Sequence, residues 1–205
     1  MSTASLPSSL APRRRLTRDQ RRVQLIETAW RLARDEGADA LTLGRLAEQA
    51  GVAKPVVYDH FGTRNGLLAA LYEDFDRRQT AAMDAALAAS GPTLADKAGV
   101  IADAYVDCAL AQGRELAGVA AALEGSAELE AVKRACRNAF LDQCREALAP
   151  FAARAPSTVS LLGAIGAADA LSYAAAAGEL DPSDARKELQ AVFAAVVERA
   201  GDASR

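Results

Sequence analysis

The sequence predicts an all-α protein with about nine helices. Apolar residues recur at a spacing of three or four along most of the 205 residues, which is the pattern of amphipathic helices. Capping side chains precede these segments, and glycines follow several of them. No stretch alternates between apolar and polar residues for long enough to form a strand, so we expect no sheet.

Three helices are predicted in the N-terminal part of the chain. Thr17 and Gln20 fit a capping box at the start of the first helix, and Gly37 ends it. Two short helices follow over residues 43–50 and 54–61, separated by a three-residue turn that begins with glycine.

Six more helices are predicted in the remainder of the chain. They cover approximately residues 63–90, 93–112, 113–125, 127–148, 156–178 and 182–200. Three glycines punctuate the 113–125 segment, which we expect to be the loosest helix. The 127–148 segment has the cleanest separation of an apolar from a charged face.

The stretch from Ala155 to Gly178 matches a membrane span in length, because Asp169 is its only charged residue. Most of its residues are Ala, Gly and Ser, however, and an aspartate near the centre costs about 2.5–3.5 kcal/mol on insertion scales. We therefore expect a helix buried between protein neighbours, and no membrane partner.

Charge is distributed unevenly along the chain. The formal net charge is -3, but residues 1–64 hold 11 Lys and Arg against 7 acidic residues, whereas residues 65–205 hold 13 against 20. Six arginines fall within residues 13–22. A basic end on an acidic body indicates a surface for a polyanion. A solvated charge run at a frayed terminus is the alternative interpretation.

Cysteine and histidine are scarce. Three cysteines cannot build a disulfide framework and suit a reducing cytoplasm, where we expect the protein to be. One histidine leaves too few ligands for a zinc site, and no other metal or cofactor is expected. The arginines at 13–15 are not followed by an apolar stretch, so they do not indicate a secretory signal.

The two short helices and the turn between them follow the pattern of a helix-turn-helix, whose second helix enters the major groove of DNA. Their spacing turns four residues toward the core: Ala47, Val52, Val57 and Phe61. The second helix then presents an outward set: Lys54, Val56, Tyr58, Asp59 and His60. Cations and hydroxyls reach phosphates, and short apolar groups touch a thymine methyl. On spacing alone, an ordinary helical hairpin remains the alternative.

Four motifs in one register make this pattern more specific. They are Ala-Leu-Thr-Leu at 40–43, Leu-Ala-Glu-Gln-Ala-Gly-Val at 46–52, Val-Tyr-Asp-His-Phe at 57–61 and Leu-Leu-x-x-Leu at 67–71. With these motifs, residues 17–72 resemble the DNA-binding region of the tetracycline-repressor (TetR) family of bacterial regulators. The remainder is similar to that family in architecture and length only. We therefore expect a basic arm at 1–16, a DNA-binding domain at 17–62 and a ligand-binding and dimerisation domain at 63–205.

The resemblance implies a role in DNA contact for nine residues, namely Thr42, Arg45, Lys54, Pro55, Val56, Tyr58, His60, Thr63 and Arg64. Lys54 and Val56 would face bases, and Tyr58 would lie against the backbone or a thymine methyl. Thr42 and His60 would meet phosphates. Thr63 and Arg64 would hold the opposite edge of the groove, where a helix N-terminus favours an anion. Arg13, Arg14 and Arg15 would reach an adjacent minor groove or phosphates, although arms vary within the family.

Three positions depart from the family's pattern. Ala53 replaces a frequent Ser or Thr cap, which weakens the start of the second short helix by about 1 kcal/mol unless another group caps it. Gly62 stands where Lys is frequent, and Asp59 places a negative charge on the outer face. Asp59 would accept from a cytosine amine or disfavour non-specific binding. A lone histidine is more often structural, but the neighbours of His60 favour contact with DNA, whereas Trp30 is assigned to the core.

A helix-turn-helix DNA-binding protein of this size is expected to act as a homodimer on a pseudo-palindromic operator. The candidate dimer surface lies on the last two helices, where small or apolar residues form a stripe: Leu161, Ile165, Ala168, Ser172, Leu189, Val192, Phe193 and Val196. Two such helices from each subunit would form a four-helix bundle, as the resemblance also implies. The alternative is that both helices only pack inside one subunit.

The resemblance also implies a small-molecule pocket in the larger domain. Periodicity nominates five inward-facing residues of mixed character: Tyr105, Cys108, Gln112, Phe140 and Cys144. For each of them, ordinary core packing is the alternative. The functional interpretation is a ligand-responsive transcriptional regulator, a repressor released from its operator by a small-molecule effector.

Two other classes of function remain open on the sequence. A helical enzyme would need a nucleophile with a base, or a metal cluster; Glu124, Glu128 and Glu130 are close in sequence, but no histidine accompanies them. A dimeric interaction module without DNA binding is the third interpretation. Salt-dependent binding to duplex DNA separates the regulator from both.

Overall fold

The computed structural model describes residues 16–202 and confirms the all-α fold class, with no strand in that range. Its helices are α1 (Arg18–Glu36), α2 (Leu43–Ala50), α3 (Lys54–Phe61), α4 (Arg64–Ala89), α5 (Leu94–Ala111), α6 (Ala117–Leu123), α7 (Ala127–Leu148), α8 (Thr158–Ala176) and α9 (Pro182–Asp202). A π-helical turn, Gln112–Leu116, joins α5 directly to α6, so the two also count as one bent helix. Short 3-10 turns at Ala38–Ala40 and Ala149–Phe151 precede α2 and follow α7.

Threonine caps set the start of four helices. The hydroxyl oxygens of Thr17, Thr42, Thr63 and Thr93 each accept a hydrogen bond from the backbone N–H three residues later. Such a cap satisfies one of the free donors in the first helical turn. The predicted starts of α1, α2, α4 and α5 follow from these caps. Ala53, by contrast, provides no side-chain cap for α3, as expected.

The interior consists of two apolar clusters. The first joins α1, α2, α3 and the first half of α4 with α6 and the beginning of α7. The second joins the end of α4 and most of α5 with the second half of α7, α8 and α9. Because α4 and α7 contribute to both clusters, they connect the N-terminal helices to the rest of the protein.

Trp30 ties α1 to α4. Its indole N–H donates to the carboxylate of Asp74 at 2.7 Å, and both residues are buried. Arg77 and Arg78 supply the compensating charge to Asp74, and the Arg78 guanidinium lies 5.0 Å from the centre of the Trp30 ring. The assignment of Trp30 to the core is therefore confirmed, and a buried carboxylate is fully partnered here.

The predicted dimer surface is wrong in its residues. Seven of the eight, all except Val192, are buried inside the protein's own fold: Leu161, Ile165, Ala168, Ser172, Leu189, Phe193 and Val196. The physical reason is that α8 packs against α5 and α9, and these two helices cover the stripe of α8 that carries its larger apolar side chains. Val192 is half-buried and borders a surface cleft between α8 and α9.

The opposite face of α8 is the exposed one. Val159, Leu162 and Tyr173 are among the large apolar side chains exposed to solvent, and Gly163 and Gly166 lie between them. By length and composition, α8 is also the one helix in the described range that is apolar enough to cross a membrane. Its inner stripe packs against α5 and α9, and Asp169 at its centre accepts a hydrogen bond from Tyr105. The length and composition of α8 are therefore only weak support for a membrane span.

Candidate nucleic-acid interface

A tight turn holds α3 across the end of α2. Gly51 adopts the left-handed conformation with φ of 65°, where a side chain is disfavoured. The N–H of Val52 then donates to the carbonyl of Ala47 at 3.0 Å, which closes the end of α2. On the inner side of α3, Val57 and Phe61 are buried in the first cluster. These contacts fix the orientation of α3 and leave its other side free.

The outer side of α3 faces solvent. Lys54, Pro55, Tyr58 and Asp59 are exposed, and the exposed fraction of Tyr58 reaches 53% although its ring is apolar. Val56 and His60 are half-buried at the margins of this face. A short helix that presents a cation, a phenol and an imidazole on its free side has the groups needed to contact phosphates and base edges.

Thr42 and Thr63 lie at the N-termini of α2 and α4. Each hydroxyl oxygen accepts from a backbone N–H at 3.0 Å, that of Arg45 and that of Gly66 respectively. Both threonines are exposed, so each hydroxyl hydrogen remains available as a donor. Helix N-termini favour anions through their free N–H groups and dipoles. Both positions therefore suit contact with a phosphate.

Arg45 and Arg64 need a correction, because other parts of the protein already bind their guanidinium groups. Arg45 pairs with Glu36 at 2.6 Å, and this hydrogen bond raises the pKa of Arg45 and lowers that of Glu36. Arg64 donates to the carbonyls of Leu41 and Ala38, both at 2.9 Å. These bonds hold the turn before α2 against α1 and α4, so we assign both arginines a structural role.

A basic surface on α1, formed by Arg18, Arg21 and Arg22, extends the outer face of α3. Arg22 donates to the carbonyl of His60 at 3.4 Å, and its guanidinium lies 5.5 Å from the centre of the Phe61 ring. The sequence placed these arginines in a charge run but did not connect them with His60. Arg21 and Arg22 lie three and four residues after Arg18, and these spacings are the signal that identifies a shared helical face.

The same surface sets the protonation of His60. Burial is the main cause that lowers the pKa of His60, and the positive charges of Arg18, Arg22 and Arg21 lower it further, with only Asp59 opposing them. Because the ordinary pKa of histidine is about 6.5, His60 is neutral at pH 7 in the free protein. The neutral ring therefore adds no positive charge to that of the three neighbouring arginines.

The five predicted pocket residues make contacts of several kinds. Tyr105 donates to Asp169 and packs edge-on against Phe140, with 5.1 Å between ring centres. Gln112 donates to the hydroxyl of Tyr72 at 2.8 Å, and Cys108 packs against the first cluster. Cys144 is fully buried in the second cluster.

Within residues 16–202, no group of three His, Cys, Asp or Glu side chains is arranged to hold a metal ion. Glu124, Glu128 and Glu130 are all exposed near the start of α7. Arg13, Arg14 and Arg15 of the predicted arm lie outside the described residues.

The arrangement of α1, α2 and α3, with a free outer face on α3, defines the class of helix-turn-helix proteins. Residues 25–71 match the model of the family described as bacterial regulatory proteins, tetR family. The N-terminal segment of the chain is therefore similar to the DNA-binding segment of the TetR family of bacterial regulators.

Individual relatives match the same part of the chain. The transcriptional activator FasR of Mycolicibacterium smegmatis is 41% identical over 59 residues, which cover 29% of this chain and 27% of the relative. The class C tetracycline repressor protein of Escherichia coli is 46% identical over 52 residues, which cover 25% and 24%. The matches thus span about a quarter of each relative's length.

The likeness in fold extends further than the likeness in sequence. A TetR-family transcriptional regulator from Rhodococcus sp. superposes with a TM-score of 0.64, covering 86% of this chain and 98% of that protein, at 19% identity. At that identity the comparison shows a shared fold, which includes the larger helical domain.

Proposed function

We propose that this protein is a dimeric, DNA-binding transcriptional regulator that a small-molecule effector releases from a pseudo-palindromic operator. The observation that carries the proposal is the free outer face of α3, whose inner face is held in the core. Basic and hydroxyl groups border that face on α1, α2 and α4. The division into a DNA-binding domain at 17–62, a ligand-binding and dimerisation domain at 63–205 and an arm at 1–16 is part of the proposal.

Six side chains on or beside this surface have a proposed contact. Lys54 and Val56, in the first turn of α3, face bases, and Tyr58 lies against the backbone or a thymine methyl. His60 donates to a phosphate, as do Thr42 and Thr63 at the edges of the groove. The arginines of α1 add a phosphate contact beside His60, which replaces the role first assigned to Arg64.

A second copy of the chain is the proposed partner of α8. The exposed face of α8 combines Val159, Leu162 and Tyr173 with Gly163 and Gly166, and the absence of a side chain at the two glycines allows helices to approach closely. In the symmetric pair, α8 and α9 of both subunits form the four-helix bundle. This arrangement also removes large apolar side chains from water.

The direction of regulation is proposed to be repression in the cytoplasm. One of the two relatives is named an activator and the other a repressor, so both directions of regulation occur among proteins similar to this one. Repression follows if the free dimer is competent to bind DNA. A reporter gene placed behind the operator should then be silenced by the protein without any added compound.

Release is proposed to occur by a shift in population. The effector-free dimer holds its two α3 helices at operator spacing, and the effector binds better to a state in which they are displaced. The effector shifts this equilibrium only by its difference in affinity for the two states. The contact between Trp30 and Asp74 couples α1 to α4, so movement of α4 would carry the DNA-binding helices with it.

Binding to duplex DNA over a series of salt concentrations tests the proposal. Using duplexes recovered by the protein from a random pool, we expect the logarithm of affinity to fall linearly with the logarithm of salt concentration. Lys54→Ala should weaken binding and reduce that slope by about 1 if Lys54 meets a phosphate, or relax base preference if it meets a base. Lys133→Ala, which removes an exposed lysine of α7, is the matched control and should change neither. Equal effects of both variants would contradict the assignment of α3.

A further inference from the structure

Gly44 leaves an open place on α2 that the side chain of Lys54 occupies. Gly44 is the second residue of α2 and is half-buried. A Cβ atom added to it would lie 3.7 Å from Cε and 3.9 Å from Nζ of Lys54. The first residue of α3 therefore extends its side chain over the bare backbone of α2, and its ammonium group ends close to that helix.

The backbone on both sides of this contact is held in place. The N–H of Gly51 donates to the carbonyl of Glu48 at 3.2 Å at the end of α2, and the N–H of Val56 donates to the carbonyl of Ala53 at 3.0 Å at the start of α3. Val57 is fully buried and anchors α3 in the first cluster. A lysine side chain on a free surface moves about its flexible four-carbon stem. Contact with α2 restricts that movement here.

The carboxylates close to this contact are engaged elsewhere. Glu48 follows Gly44 by one turn on the same face of α2, but it pairs with Arg45 at 3.7 Å. Glu36 of α1 pairs with the same arginine at 2.6 Å. Lys54 is exposed, and it forms no ion pair with a side chain of the described part of the chain. Its donors are therefore free for a group outside the protein.

The position of this free donor suits a base edge. In helix-turn-helix proteins the N-terminal residues of the second helix contact bases, and Lys54 is the first residue of α3. An ammonium group donates hydrogen bonds and accepts none. In the major groove guanine presents the acceptors N7 and O6 side by side, whereas adenine and cytosine each present a donor. A lysine that is held at one point of this surface therefore fits guanine best.

We propose that Gly44 positions Lys54 against α2 and that Lys54, held there, contacts a guanine in each half-site of the operator. This inference rests on the proposed function and names the base that one side chain recognises. Gly44 is a positioning residue, because its role is to set the place from which Lys54 donates. A large side chain at position 44 would fill the space of the lysine stem and displace the ammonium group.

Selection of duplexes from a random pool, carried out with the parent and with three variants, tests the inference. From the parent we expect half-sites that share a guanine at one fixed position, and exchange of that base should weaken binding by about fivefold or more. Lys54→Ala should lose the preference at this position and keep it at the others. Gly44→Leu should lose the same preference although it retains Lys54. Gly44→Ala is the matched control and should keep it, because a Cβ atom fits beside Lys54 at an ordinary contact distance.

The other positions of the half-site are an internal control for folding. Leucine is a better helix former than glycine, so we expect Gly44→Leu to remain folded in a thermal unfolding measurement. A variant that still prefers the remaining bases presents α3 correctly, and a loss of fold would not affect one position alone. Adding Lys54→Ala to Gly44→Leu should cause no further loss of preference, because both changes remove the same contact.

The inference is overturned if Lys54→Ala weakens binding to all duplexes equally and lowers the slope against salt, because Lys54 then meets a phosphate. It is overturned as well if the base that loses its preference is not guanine, or if Gly44→Leu keeps the preference that Lys54→Ala loses. A shared sequence that does not depend on Lys54 rejects this inference alone. Recovery of no shared sequence by the parent rejects the proposed function, and this inference with it.

Discussion

At the scale of residues, His60 is the most informative side chain because it is the single histidine of the chain. It lies at the end of α3 beside Arg18, Arg21 and Arg22, and its pKa is lowered first by burial and then by these arginines. In the free protein it is therefore neutral at pH 7. A phosphate placed against the ring would favour the protonated form, so binding of DNA at this position would take up a proton.

Operator affinity should consequently depend on pH. Between pH 6 and pH 8 we expect the affinity of the dimer to fall as pH rises, by at most about two log units per pH unit, because each of the two His60 side chains takes up at most one proton. Fluorescence anisotropy with a labelled duplex measures this, and His60→Gln should flatten the profile. A profile of the same slope in the variant would show that His60 does not meet a phosphate.

Two residue roles were beyond prediction from sequence. The guanidinium of Arg64 is bonded to carbonyls 23 and 26 positions earlier in the chain, and such contacts leave no local pattern. The same holds for the indole of Trp30, whose partner Asp74 lies 44 positions away. Helical spacing correctly placed Trp30 in the core, but it gave no indication that the core there contains a carboxylate.

At the scale of elements, the contact of α1 with α4 determines how the DNA-binding helices sit on the larger domain. Trp30, Asp74 and Arg78 form its polar centre, in which Trp30 and Asp74 are buried and Arg78 reaches them from the exposed side. A buried hydrogen bond to a charged acceptor is stronger than one between neutral groups. The contact should therefore contribute both to stability and to transmission between domains.

Trp30→Phe tests this contact while it preserves an aromatic ring. The variant leaves the Asp74 carboxylate without its indole donor, and we expect the free energy of unfolding to fall by about 1–3 kcal/mol. Urea denaturation followed by circular dichroism provides the measurement. Phe151→Leu, which changes a half-buried aromatic outside this contact, serves as a comparison. An unchanged midpoint for Trp30→Phe would mean that Arg77 and Arg78 alone satisfy Asp74.

Sequence patterns predicted the helices better than their orientations. Threonine caps and glycines mark the ends of α1, α2 and α4, so these bounds were accessible from local rules. For α8 the pattern correctly predicted a helix, but the face that it assigned to contact with a second subunit is the buried one. Small and apolar residues surround that helix on all sides, with a mean hydropathy of 1.4, so periodicity does not distinguish the stripe against α5 and α9 from the one left free.

At the scale of the whole molecule, the exposed face of α8 is the proposed surface for assembly. Leu162 and Tyr173 would be buried by a second copy, and the glycines at 163 and 166 would lie at the closest approach of the two α8 helices. A symmetric pair of this kind also determines the separation of the two α3 helices. Assembly and DNA recognition are thus expected to fail together.

A bulky charge at the helix crossing should separate the subunits. Gly166→Arg places a long cation where two backbones meet, and we expect a monomer in light-scattering measurements at micromolar concentration, with operator affinity reduced at least tenfold. Ala139→Arg introduces the same charge at an exposed position of α7 and should remain dimeric. A dimeric Gly166→Arg would assign the pairing surface to another face.

Selection of duplexes from a random pool by the intact protein tests the central claim most directly. If two α3 helices are presented by one dimer, the recovered sequences will share a pseudo-palindrome whose half-sites are centred about 34–36 Å apart, or a multiple of that distance. Recovery of no shared sequence, or of a single half-site without a symmetry mate, would contradict the account.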